Sequence, residues 1–309
     1  MVEPGRCVRF GDVAVGLEAS DADRLALVHG VVAQLDTTGA DPDVRLRIVD
    51  GSPRVPARRP DFTERGTSFW IDGDELVVTL GRAVARSGDT DATIGGVDAR
   101  DAGVVRRLLL PAMTHVLAAH DRFVLHAAAV VAPDGGAVVL AGASGRGKST
   151  VAFAARDAGW TVLADDMVIV RRAAAAGCEV AGVPQEFAVP AELVAGFDRD
   201  RLGLVAYVGD SRGRLLAPST PGDTSWHPLV AFARIEHGDG PEGELEALDA
   251  TDALPAVLSS FTSVLAPDRL RAFLPVAAEL ARLPAWELRL AGDPARRVAG
   301  VQAALRSVV

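Results

Sequence analysis

Apolar and polar residues alternate along Val44-Arg45-Leu46-Arg47-Ile48-Val49, the period-two pattern of a half-buried strand. Phe69 to Leu80 carries two such runs and predicts a hairpin turning at Asp72-Gly73. Ala102 to His120 changes period: Val105, Leu108, Leu109, Met113 and Val116 line one face of a helix. Pro111 within that helix predicts a kink or a break. Continuous apolar runs follow. Phe123 to Val131 and Gly136 to Ala141 read as buried strands, joined by the turn residues Pro133-Asp134-Gly135-Gly136. Ser149 to Ala158 reads as a helix with Gly159 in its C-terminal capping position. Leu163 to Val170 is a strand interrupted by Asp165 and Asp166. Val230 to Ile235 and Trp286 to Leu290 are further strands, and 251–262, 266–282 and Pro294 to Ser307 are helices.

This order predicts a small N-terminal α+β domain over residues 1–120 and an α/β domain over 121–309. At 309 residues, with 49% hydrophobic and 24% charged side chains, the chain can bury a sizeable core, which excludes a disordered or collagen-like protein. The net charge of -9 argues against a nucleic-acid partner. The N-terminal MVEPGRCVRFGD lacks the apolar stretch of a signal peptide, and no run approaches the roughly eighteen apolar residues of a membrane span. A cytoplasmic protein with no membrane partner is expected. Cys7 and Cys178 are too few for a disulfide framework or a zinc cluster and read as free buried thiols. His115 and His120 read as surface or packing residues.

Composition singles out one residue. Of 32 Lys plus Arg, Lys148 is the sole lysine, in a chain that otherwise takes Arg wherever it needs positive charge. It lies in Gly142-Ala143-Ser144-Gly145-Arg146-Gly147-Lys148-Ser149, which satisfies G-x-x-x-x-G-K-[ST] between a strand and a helix. Glycines let the backbone wrap closely and aim N–H groups at phosphate oxygens, and the helix start adds partial positive charge. Residues Gly142 to Thr150 are therefore the candidate nucleotide cradle. Lys148 would neutralise β- and γ-phosphate charge, and the Ser149 hydroxyl would reach Mg²⁺. Asp165 and Asp166, if on a strand, point to opposite faces; one could hold Mg²⁺ and the other accept a proton from an attacking hydroxyl. The strand carrying His126 would bring it near the phosphates. The chain has no Asn, hence no Asn-Lys-x-Asp guanine motif of a GTPase.

FVLHAAAVV, GAVVLAGASGRGKSTVAFAARDAGW and TVLADD, taken together over residues 122–170, resemble the catalytic core of the HPr serine kinase/phosphorylase family. They are similar above all to the HPr-kinase-like proteins of peptide-tailoring and other biosynthetic clusters. The resemblance implies an α/β P-loop kinase core of the HPr kinase/PEP carboxykinase type with a mixed sheet. It implies ATP and Mg²⁺ as cofactors and a serine of a peptide or protein as phosphate acceptor. It also implies Asp165 as general base with His126 beside it, and Asp166 with Ser149 as magnesium ligands. Two positions depart from the family: Thr150 replaces the Glu after Gly-Lys-Ser, and Ala181 stands where the Arg of Glu-x-Arg-Gly would be. The phosphorylase activity, and HPr itself as substrate, are accordingly not expected. Alternatives are a kinase for a small-molecule alcohol and an ATP-binding regulatory module without transfer. A homo-oligomer is compatible with any of these. Residues 186–221 read as a loop-rich segment whose Arg199, Arg201, Arg212 and Arg214 either close over the γ-phosphate or form a solvated surface.

Overall fold

Two mixed sheets organise the chain in the computed structural model. It describes residues 7–33, 35–98, 100–183, 186–189, 193–194, 205–206, 215–218, 225–238, 243–261, 266–292 and 294–308. Two compact units result, one of residues 1–124 with 262–274, the other of residues 125–261 with 275–309. The division falls after Val124, four residues beyond the boundary read from the sequence, and the 262–274 segment joins the first unit. Arg199, Arg201, Arg212 and Arg214 lie outside the described residues.

The first unit contains β1 (Cys7–Phe10), β2 (Val13–Ala19), α1 (Ala22–Val31), β3 (Thr37–Thr38), β4 (Val44–Val49), β5 (Phe62–Glu64), β6 (Thr67–Asp72), β7 (Glu75–Leu80), β8 (Ala83–Ser87), β9 (Asp91–Gly95) and α2 (Ala102–Ala119). Its sheet runs β3-β1-β2-β4-β9-β8-β7-β6-β5, with β2-β4 and β4-β9 parallel. The β6-β7 hairpin pairs Asp72 with Glu75, so its turn is Gly73-Asp74, one residue later than expected. Helix α2 continues through Pro111 and buries Val105, Leu108, Leu109, Met113 and Val116 over β7, β8 and β9. That apolar burial outweighs the one helical hydrogen bond a proline removes. At eighteen residues and mean hydropathy 1.2, α2 does reach membrane-span length, contrary to the sequence reading. Over half of it is buried, as in a core helix.

The second unit holds β11 (Ala127–Val131), β12 (Ala137–Ala141), α3 (Lys148–Asp157), β13 (Thr161–Ala164), β14 (Val168–Arg172), β15 (Cys178–Gly182), β16 (Glu186–Val189), β17 (Val205–Ala206), β18 (Leu215–Pro218), β19 (His227–His237), β20 (Glu244–Leu248), α4 (Ala250–Ser260), β21 (Ala285–Leu290) and α6 (Pro294–Val308). The short β10 (Phe123–Leu125) and the helix α5 (Pro267–Leu280) straddle the division. The sheet order includes β14-β15-β19-β12-β11-β13; β21 pairs parallel with β19 and antiparallel with β20. β12 and β19 are parallel, whereas β11 is antiparallel to both its neighbours. Alternate residues Ala128, Val130, Val138 and Leu140 pack with Val151, Phe153 and Ala155 of α3 and with Val298 and Val301 of α6. Helix α4 packs on β12, β19, β20 and β21. The molecule is thus mixed α/β.

Candidate functional site

Strand register brings three separated stretches of sequence to one end of the second sheet. β11 lies between β12 and β13 and runs antiparallel to both, with Ala127 opposite Ala141 and Ala129 opposite Ala164. The start of β11 therefore sits beside the ends of its two neighbours. His126 precedes that start, Gly142 follows the end of β12, and Asp165 follows the end of β13.

Residues Gly142, Ala143, Ser144, Gly145, Arg146 and Gly147 form the loop, and Lys148, Ser149 and Thr150 the first turn of α3. Gly147 has φ +102, and a Cβ there would collide with Leu290 Cδ1 of β21. Only glycine meets both demands. Asp21 and Asp249 cap the starts of α1 and α4, whereas α3, like α2, starts with no side-chain cap among the described residues. A helix start without a side-chain cap can direct its first N–H groups at an anion.

The candidate side chains converge. Lys148 is buried and its Nζ donates to Gly142 O at 2.8 Å, folded over its own loop. Burial lowers its pKa, against the pull of Asp166 and Asp165. Ser149 Oγ donates to Asp165 Oδ2 at 2.8 Å. Asp165 is buried, and loss of solvation pushes its carboxyl up to about 7 despite that bond. Asp166, more than half exposed, faces His126 Nε2 at 3.2 Å. Burial lowers the His126 pKa, with Asp166 opposing and Lys148 reinforcing the shift.

Three sequence expectations change. Leu163 to Val170 is not one strand: β13 ends at Ala164, β14 starts at Val168, and Asp165-Asp166 form the bend between them. Two adjacent carboxylates at a strand end are more easily satisfied at a bend than within a buried ladder. The two differ in surroundings: Asp165 is buried against Ser149, and Asp166 is more than half exposed beside His126. Phe123 to Val131 is likewise broken, at His126, which falls between the end of β10 and the start of β11. The pairing within the cluster also differs from that implied by resemblance. Ser149 meets Asp165 and His126 meets Asp166, whereas the resemblance joined Ser149 to Asp166 and His126 to Asp165.

The Ala181 segment is no loop at all. It lies in β15 between β14 and β19, with Ala181 fully buried. Cys7 and Cys178 are free and buried, as expected. His115 is buried and bonds Asp74 O at 2.9 Å, whereas His120 is at the surface.

Sequence reasoning missed Glu236 and His237, the last residues of β19. Arg146 Nε lies 3.5 Å from Glu236 Oε2, and His237 Nε2 lies 3.1 Å from Gly145 O. The apolar signal of that strand stops at Ile235, so only its pairing with β21 reveals the extension.

Among the described residues no three His, Cys, Asp or Glu side chains form a ready-made metal cage. The oxygens present, from Ser149, Asp165 and Asp166, are hard donors suited to Mg²⁺, which usually takes one or two carboxylates and completes its shell with phosphate and water. The chain matches no protein-family model and no curated protein.

Proposed function

We propose that the second unit is a kinase using ATP and Mg²⁺ to phosphorylate a hydroxyl. Serine of a peptide or protein is the acceptor implied by the resemblance to HPr-kinase-like proteins. One observation carries the reading: register places the start of β11, the end of β12 and the end of β13 together, and Lys148, Ser149, Asp165, Asp166 and His126 meet there. A bare strand-to-helix turn needs no buried lysine and no pair of carboxylates.

The residues fit the cofactors. Loop N–H groups and the uncapped start of α3 favour a polyphosphate, and Lys148 can exchange its bond to Gly142 O for a phosphate oxygen. Mg²⁺, when bound, neutralises charge on the transferring phosphate. In the first assignment, Asp165 is the proton acceptor. A carboxyl near 7 balances availability against basicity at neutral pH. Asp166 and Ser149 then hold the metal, and His126 tunes the charge beside them. The observed contacts favour a second assignment with the carboxylates exchanged. In that assignment Asp165, bonded to Ser149, would hold the metal with it, and the exposed Asp166 beside His126 would accept the proton of an incoming hydroxyl.

Transfer from γ-labelled ATP to serine peptides and to small alcohols tests the proposal. Asp165→Asn and Asp166→Asn should each lower transfer by about a hundredfold or more. The base variant keeps its affinity for magnesium nucleotide; the ligand variant needs more Mg²⁺. Full transfer by both variants would refute the assigned chemistry. Nucleotide binding with no transfer to either acceptor class would leave the regulatory module as the function.

A further inference from the structure

We infer that His237 is a positioning residue that sets the orientation of the phosphate loop; the inference rests on the nucleotide-binding reading above. β19 runs parallel to β12 with Arg234 opposite Ala141. Where β12 gives way to the loop, β19 therefore continues beside it through Ile235, Glu236 and His237. The approach is close: a Cβ on Gly142 would stand 2.8 Å from Ile235 O.

His237 Nε2 lies 3.1 Å from Gly145 O. A carbonyl can only accept, so Nε2 carries the hydrogen and donates it. In a trans peptide the carbonyl and the following N–H point in opposite directions. Drawing Gly145 C=O toward β19 thus turns the Arg146 N–H into the loop, where it donates to Ala143 O at 3.2 Å. Gly145, at φ +82, has no Cβ to restrict its peptide planes. A bond from outside the loop is what selects one orientation. Glu236 holds the Arg146 side chain on the same flank, at 3.5 Å. Strand, backbone carbonyl and arginine are fixed together, so an anion meets a loop with less conformational freedom left to lose.

Calorimetric titration of magnesium ATP into wild type, His237→Phe and His237→Gln tests this, with thermal unfolding recorded on each. His237 is exposed, so all three should unfold at similar temperatures. Phenylalanine keeps the bulk and loses the donor; its affinity should fall about three- to tenfold, the worth of one hydrogen bond. Glutamine can donate to the same carbonyl and should stay within about twofold of wild type. Equal affinity of the Phe and Gln variants would overturn the inference. No binding by wild type would overturn the nucleotide reading and the inference with it.

Discussion

Burial shifts the ionisation of two groups, Asp165 and His115, in opposite directions. His115 Nε2 donates to the carbonyl oxygen of Asp74, so Nε2 carries the hydrogen, and the buried Nδ1 has no hydrogen-bond partner among the described residues. Burial pushes its pKa from 6.5 down to about 4. Between those values the unfolded chain binds a proton that the folded one refuses. Stability of the first unit should therefore fall as pH drops from about 6.5 to 4, by an amount on the order of 3 kcal/mol. Asp165 behaves oppositely, rising from 3.8 to about 7. Its contribution is intact below 3.8 and is lost as pH rises toward 7, on the order of 4 kcal/mol in the nucleotide-free second unit. Denaturant unfolding across this range checks both. Relative to wild type, His115→Phe should gain stability as pH falls, and Asp165→Asn should gain as pH rises, even though the latter loses transfer. Stability curves parallel to wild type would show that these groups titrate normally.

At the scale of elements, period and glycine placement made β4, β12, α2, α3 and α6 legible, and the G-x-x-x-x-G-K-S spacing located the loop. Breaks inside apolar runs were not legible. Phe123 to Val131 contains no turn residue, yet the chain bends at His126, where β10 gives way to the β11 that pairs with β12 and β13. The Asp165-Asp166 bend has the same origin: β13 and β14 belong to different places in the sheet, which only long-range pairing decides. Gly182 marks how tightly that corner is built. It ends β15, and a Cβ there would collide with the carbonyl oxygen of Leu163, two residues before Asp165. Backbone cannot yield as a side chain can. Gly182→Ala should cost about 2 kcal/mol or more and lower the unfolding midpoint by several degrees, ~4 °C at least. An unchanged midpoint would mean the corner relaxes freely.

For the molecule as a whole, a charge of -9 repels a polyphosphate at long range. Affinity for one must then come from local features: an uncapped helix start, a glycine loop and the single ammonium of Lys148. Removal of that ammonium is the sharpest discriminator, because Arg supplies every other basic side chain in the chain. Neither sheet alone dictates a function, since mixed α/β sheets serve many. Calorimetry of magnesium ATP with wild type and Lys148→Ala is the most direct measurement. Saturable heat with wild type, weakened at least about tenfold in the variant, is the expected result. No heat with wild type, or undiminished affinity without the lysine, would contradict the account.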